Sequence, residues 1–97
     1  MYGTIARLKI KPGSEASLKE EMGKYPGLKI PGFVSTMLYR MDRDANEWYM
    51  VVAFNDRQSY HANAQNPQQD ERYQRMRALL VADPEWHDGE IIWSESA

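Results

Sequence analysis

Two histidines are the first side chains of this sequence to consider for chemistry. His61 lies in SYHANAQNPQQDERY, a segment whose pattern predicts a helix that is interrupted once and restarts, and His87 lies in HDG, which predicts a turn. Imidazole titrates near neutral pH, so a histidine that faces a pocket can accept a proton at modest cost. The alternative for His61 is that it only packs or caps the helix, and we expect His87 to be solvated.

Other kinds of catalytic site have little support in the sequence. There is no cysteine, which excludes thiolate nucleophiles, disulfides and sulfur-ligated metal sites. Two distant histidines and scattered carboxylates do not have the spacing of a metal site, so we expect no metal. The carboxylate pairs Glu20 with Glu21 and Asp70 with Glu71 are predicted on charged helix surfaces. Motifs for serine nucleophiles, phosphate loops and dinucleotides are absent.

Aromatic and methionine side chains are the second resource of this chain. Tyr73, Met76 and Trp86 are predicted to form the wall of a pocket for a small planar ligand, because ligand sites are mostly apolar with few polar anchors. Asn63 and Arg72 are the candidate polar anchors. Core or subunit-interface packing, the usual fate of large apolar groups, is the alternative for the three apolar residues, and a helix surface explains the two polar ones equally well.

Composition limits the class of protein and its partners. The 97 residues predict one domain, 1–97, with 42% hydrophobic and 27% charged residues. A net charge of −2 without a basic stripe argues against nucleic acid and anionic membranes as partners, and the glycine and aromatic signature of RNA-recognition domains is missing. The longest apolar run is WYMVVAF, and the first residues lack a basic region followed by an apolar stretch, so we expect a cytoplasmic protein.

The break in the helical region gives the best local signal. Asn66 is the predicted N-cap of a new helix, with Pro67 at its first position and Gln69 at its third. Tyr73 and Met76 then recur at helical spacing and predict its buried stripe. Alternation and turn residues predict the other elements: strands at 2–10, 32–41, 47–54 and 89–94, and helices at 15–25 and 56–65.

The order of elements predicts an α+β, ferredoxin-like split βαβ fold with an antiparallel sheet and helices on one face. Both alternating sets of EWYMVVAF are apolar, so the other sheet face also needs a cover. A second copy related by a two-fold axis would supply it. We therefore predict a homodimer that joins through the sheet face as a dimeric α+β barrel.

The segments RLKIKPG, PGFVSTMLYR and AFNDRQSYHANAQNP, with a last segment that carries tryptophan, resemble the antibiotic biosynthesis monooxygenase family of dimeric α+β barrels. The resemblance covers nearly the whole chain and implies a pocket between each subunit's own sheet and helices. Members with known activity oxidise quinols, anthrones or related polyphenols with molecular oxygen and without flavin or metal, so it also implies that no cofactor is needed. Within it, His61 is the candidate base that deprotonates a phenol or activated methylene.

A haem-degrading branch shares this fold and uses an asparagine, a tryptophan and a histidine. The matching positions here hold Ala6, Asn63 and Tyr73, which argues against haem degradation. The leading hypothesis is therefore a cofactor-independent monooxygenase. The alternatives are a noncatalytic dimer of the same fold that binds a small molecule, and haem binding without degradation.

Overall fold

The computed structural model describes residues 1–97 and contains one four-stranded sheet with helices on one face. All neighbouring strands are antiparallel, in the order second, third, first, fourth along the chain, which confirms the predicted ferredoxin-like α+β fold. In chain order the elements are β1 (Tyr2–Lys9), α1 (Glu15–Gly23), a 3₁₀ helix (Tyr25–Leu28), β2 (Phe33–Arg40), β3 (Glu47–Phe54), α2 (Arg57–Ala64), α3 (Pro67–Arg77) and β4 (Glu85–Glu90).

The central strand β1 shows how the sheet divides into two faces. Ala6 and Leu8 turn towards the helices and are completely buried, whereas Ile5 turns away and keeps 52% of its surface exposed. Alternation of side chains along a strand causes this division. The core on the helix side consists of Ala6, Leu8, Ile10, Leu18, Met22, Trp48, Met50, Met76 and Leu80.

The prediction of the last strand at 89–94 is wrong. β4 runs from Glu85 to Glu90, and His87 lies on it opposite Ile5 rather than in a turn. The apolar residues Ile92 and Trp93 lie beyond it, with 90% and 74% of their surfaces exposed. All six residues of β4 are exposed, so backbone pairing with β1 forms this strand and its composition gives no hydrophobic signal.

The interrupted helix is as predicted. Asn66 is the N-cap of α3, its side-chain oxygen accepts the Gln68 backbone N–H at 2.8 Å, and Pro67 takes the first helical position. Asp56 caps α2 in the same way through the Ser59 backbone N–H at 2.7 Å. The first helix ends at Gly23, two residues before its predicted end, because the 3₁₀ helix with its early proline follows.

The sheet face turned away from the helices, called the open face, carries exposed apolar side chains beside an ion cluster. The apolar residues are Ile5, Met37, Tyr39 and Val51, of which the first three are about half exposed. At one end Arg7 donates to Glu47 at 2.8 Å and to Glu85 at 2.6 Å. No helix in the chain combines the length and the apolar character that crossing a membrane requires.

Candidate functional site

A pocket of about 440 Å³ lies between the helix-covered face of the sheet and the helices, and ten of its 18 lining residues are hydrophobic. All four strands contribute side chains to its floor, and α1, the 3₁₀ helix, α2 and α3 contribute to its walls. A cavity of this size, mostly apolar with a few polar groups, has the character of a small-molecule site.

Five of the six residues predicted for the site line this pocket. They are His61, Arg72, Tyr73, Met76 and Trp86. The sixth, Asn63, lies on α2 but faces a separate, more polar depression near the end of the 3₁₀ helix, and only Arg72 borders both. Helix α2 therefore presents His61 and Asn63 in different directions, as two positions only two residues apart on a helix must be.

The aromatic wall comes from a helix and a strand that are adjacent only in the fold. Tyr73 on α3 and Trp86 on β4 have ring centroids 6.2 Å apart, tilted by 46°. Met76, one helical turn after Tyr73, is 6% exposed and extends the wall into the core. Trp86 lines the cavity and keeps 44% of its surface exposed.

His61 stands at the edge of the pocket among other rings. Its imidazole centroid is 5.7 Å from that of Tyr2 and 5.5 Å from that of Tyr60. The Asp56 cap fixes the start of α2, and Tyr60 packs edge-on against Phe54 of the buried core. The base candidate thus has an exposed imidazole on an anchored helix, within reach of a ligand in the cavity.

A polar group that the sequence analysis missed lies close to His61. The Tyr60 hydroxyl donates to Asp88 Oδ1 at 2.8 Å. Burial and this bond raise the pKa of Tyr60 above its ordinary value, so the phenol stays protonated. The Thr4 hydroxyl lies beside the phenol oxygen, outside hydrogen-bonding geometry, and opposes the rise. The HDG pattern predicts a turn at Asp88, and a threonine in a strand carries no motif, so no sequence signal joins these three residues.

Strand register sets the polar groups of the pocket floor in one row. Thr36, Val52, Thr4 and Asp88 are successive register partners across β2, β3, β1 and β4. All four line the pocket. The side-chain oxygens of Thr4 and Thr36 are buried and have no hydrogen-bond partner in the chain, and Thr4 as a whole is only 4% exposed. Most buried polar atoms in proteins are paired, so two unpaired ones in one pocket floor are unusual.

Arg72 closes the pocket on the side of the 3₁₀ helix. Its guanidinium lies 5.8 Å from the centroid of the Tyr25 ring and donates to Gln69 Oε1 at 3.0 Å. Gln69 also bonds the Tyr25 hydroxyl at 3.2 Å. Arg72 is therefore held by neighbours, while its charge remains at the boundary of the cavity.

Carboxylates outnumber cations around the cavity. Glu21, Asp70 and Asp88 line it together with Arg72. Glu21 is bonded by Lys24 and Arg75, and these two cations hold its pKa below the usual range. No group of three or more histidine, aspartate and glutamate side chains is arranged to hold a metal ion. The lining favours a neutral ligand over an anionic one.

An α+β fold with a pocket between its helices and one face of its sheet is a scaffold for binding or transforming a small molecule. The family model for antibiotic biosynthesis monooxygenases matches residues 1–75, and the chain belongs to this family. No curated protein matches this chain. The matched part includes the residues from β1 to most of α3, and therefore His61, Arg72 and Tyr73.

Solved structures with the same fold cover nearly the whole chain. SnoaB from Streptomyces nogalater, a cofactor-independent oxygenase, is 17% identical with a TM-score of 0.80, over 96% of this chain and 94% of that one. A Bordetella bronchiseptica protein described as a candidate antibiotic biosynthesis monooxygenase is also 17% identical, with a TM-score of 0.80 over 95% and 97% of the two chains. A conserved protein from Methanosarcina mazei is 14% identical, with a TM-score of 0.78 over 91% and 89%. At these identities the likeness is one of fold.

Proposed function

We propose that the protein is a homodimeric, cofactor-independent monooxygenase that oxidises a small quinol, anthrone or polyphenol in the pocket beside His61. The observation that carries the proposal is the imidazole at the edge of an apolar, aromatic cavity of about 440 Å³. Membership of the antibiotic biosynthesis monooxygenase family supports the reaction class. Similarity in fold to a cofactor-independent oxygenase agrees with it.

The reaction requires a base and a pocket that excludes water. His61 accepts a proton from an activated methylene or phenol of the substrate, which leaves an electron-rich anion. The anion gives electrons to molecular oxygen, a carbon–oxygen bond forms, and loss of water leaves a carbonyl, so that CH₂ and O₂ become C=O and H₂O. The apolar walls formed by Tyr73, Met76 and Trp86 keep bulk water from the anion while this happens.

The open face of the sheet supports the homodimer. Ile5, Met37 and Tyr39 are each at least half exposed there, and a contiguous apolar face of this kind marks an interaction surface. The same patch on a second copy, related by a two-fold axis, is an apolar partner of matching shape and size. The pocket lies on the opposite side of the sheet, so pairing leaves its floor intact.

Oxygen uptake tests the activity. The purified protein is assayed against a panel of quinols, anthrones and flavonoid-like phenols, with autoxidation subtracted. His61→Ala should lower turnover by roughly 10²- to 10⁴-fold, the usual contribution of a positioned base. The matched control is His87→Ala, which removes the other histidine from the open face of the sheet and should leave turnover unchanged.

Two results would count against the proposal. Unchanged turnover in folded His61→Ala protein would remove this residue as the base. Binding of the panel compounds without any oxygen uptake would favour the noncatalytic ligand-binding dimer instead. A Soret shift on titration with haem would point to the third hypothesis.

A further inference from the structure

Arg72 is a half-buried cation without an ionic partner. Two other arginines of the chain are half-buried, Arg7 and Arg77, and both are paired with a carboxylate. Arg7 lies 2.6 Å from Glu47, and Arg77 lies 2.7 Å from Asp83. Arg72 forms no salt bridge within the chain. Withdrawing a charge from water costs free energy unless an opposite charge compensates for it, so Arg72 lacks the counter-ion that the other two have.

The guanidinium of Arg72 is nevertheless held in place. Its Nε donates to Gln69 Oε1 at 3.0 Å, and the group lies 5.8 Å from the centroid of the Tyr25 ring. This is the one hydrogen bond that the side chain makes within the chain, so the terminal nitrogens keep their N–H donors free. A planar fork that is already fixed by its neighbours binds an oxyanion with little further loss of side-chain freedom.

Arg72 borders two cavities that differ in charge. The main pocket also has the carboxylates of Glu21, Asp70 and Asp88 in its lining. The polar depression near the end of the 3₁₀ helix has a volume of about 400 Å³ and is lined by Lys29 as a second cation and by no carboxylate. An anion would therefore be repelled by several groups in the main pocket and attracted by both charged groups in the depression.

The neutral part of the depression can also bind an anion. Three of its eleven lining residues are hydrophobic, and the side-chain amides and hydroxyl of the others can donate hydrogen bonds to oxygen atoms. These neutral polar residues are Gln58, Ser59, Asn63, Asn66 and Gln68. Asn63, which does not line the main pocket, thus lies among donors that surround a cationic site.

The backbone at Lys29 favours a role for its side chain. Lys29 has a φ of 51° and is the one residue other than glycine with a positive φ. Glycine adopts this left-handed conformation without a steric penalty and is the usual residue at such a helix end. A lysine here is unfavourable for the backbone, which indicates that its ammonium group is useful in this position.

We propose that the depression is a binding site for a phosphate group, held by the charges of Arg72 and Lys29 and by the surrounding amides. Two cations match a phosphate, which carries a charge of about −1.5 to −2 near neutral pH, better than they match a carboxylate. The site goes beyond the proposed monooxygenase activity and does not depend on it. Because Arg72 borders both cavities, a bound phosphate and a ligand of the main pocket contact the same arginine.

The experiment is thermal unfolding during a titration with inorganic phosphate near neutral pH, with sodium chloride keeping the ionic strength constant. A ligand that binds the folded protein raises its Tm, so wild-type protein should show a rise that saturates with phosphate. Acetate should give a smaller rise. Phenyl phosphate distinguishes two sources of the phosphate group: tighter binding than inorganic phosphate indicates the arm of a larger ligand, and equal binding indicates a free anion. Either result supports the site.

Two variants test the cations separately. Arg72→Gln should weaken phosphate binding by roughly 10-fold or more, and Lys29→Gly by roughly 2- to 5-fold. Lys11→Gln is the matched control, because it removes a charge from an exposed lysine outside both cavities and should bind phosphate like the wild type. Without phosphate, Lys29→Gly should keep or raise the Tm, since glycine suits the left-handed backbone. A purely structural role of the lysine side chain would lower it.

Three results would overturn the proposal: no saturable rise of the Tm with phosphate, an equal rise with acetate, or phosphate binding that is unchanged in both Arg72→Gln and Lys29→Gly. Oxygen uptake is measured separately with His61→Ala. Because the titration needs no substrate, an inactive protein that binds phosphate would refute the monooxygenase and leave this inference standing. An active protein that does not bind phosphate would do the reverse.

Discussion

The two faces of the sheet differ in whether their polar side chains have hydrogen-bond partners. On the helix-covered face, Thr4 and Thr36 are buried without hydrogen-bond partners beside an apolar cavity. On the open face, Arg7 is bonded to both Glu47 and Glu85, and Ile5, Met37 and Tyr39 expose apolar surface beside this cluster. Unpaired groups in a cavity favour a ligand that can pair them, whereas an internally paired ion cluster beside an apolar patch favours a second protein surface. One sheet can therefore serve binding and assembly at once.

The largest effect is expected from a charge placed in the middle of the open face. Ile5→Lys should abolish the dimer at micromolar concentration, weakening association by roughly 10³-fold or more, because each copy would bury an unpaired ammonium group. Sedimentation velocity measures the effect. Gln65→Lys, which puts the same charge on an exposed residue after α2, is the control and should remain dimeric. A monomeric wild-type protein, or a dimeric Ile5→Lys variant, would show that the open face is not the interface.

A smaller effect separates the two faces along one strand. Leu8 is completely buried against the helices, and Ile5, three residues earlier on β1, is half exposed. Leu8→Ala should lower the free energy of unfolding by about 2 to 5 kcal/mol at any protein concentration. Ile5→Ala should lose stability mainly through the dimer, so its loss should depend on protein concentration. Urea unfolding at two concentrations measures both, and equal, concentration-independent losses would refute the comparison.

The smallest effect comes from the ion cluster and depends on pH. Hydrogen bonds from Arg43 and Arg7 hold the pKa of Glu47 below its ordinary value of 4.5, and Arg7 lowers the pKa of Glu85 in the same way. A carboxyl whose pKa is lowered by folding stabilises the fold above its unfolded pKa and loses this contribution as the pH falls through the folded value. The Tm should therefore be nearly constant above about pH 5 and should fall below it.

Thermal unfolding followed by circular dichroism across this range measures the fall. Glu47→Gln should make it shallower without removing it, because the pKa values of Glu21, Asp56 and Glu85 are also lowered by folding. The same steepness in the variant and the wild type would show that the cluster contributes nothing to the dependence on pH.

The sequence predicted most of the fold because most elements have a local signal. The Asn66 and Pro67 restart, the alternation of β1 and the aromatic-rich hairpin of β2 and β3 all correspond to observed elements. β4 was misplaced because its only reason to be a strand is the neighbouring backbone of β1. An apolar run just after it, which includes Ile92 and Trp93, gave a stronger but wrong strand signal.

The residues of the candidate site likewise divide into those with a local sequence signal and those without one. Tyr73 and Met76 could be placed on a pocket wall because they recur at helical spacing, and both line the cavity. The cluster of Thr4, Tyr60 and Asp88 joins β1, α2 and β4, and no periodicity within one element brings such residues together. Only the register of paired strands puts Asp88 beside Thr4.

That register also bears on how the pocket could change over evolutionary time. Thr36, Val52, Thr4 and Asp88 form a transverse row, one residue from each strand. Moving a hydroxyl from one strand of the row to the next would shift a polar group across the pocket floor by about 4.8 Å, without altering any helix. Such a step takes two substitutions, a threonine to valine on one strand and a valine to threonine on its neighbour. The polar pattern of the floor can therefore change at these four positions while the pairing of the strands stays the same.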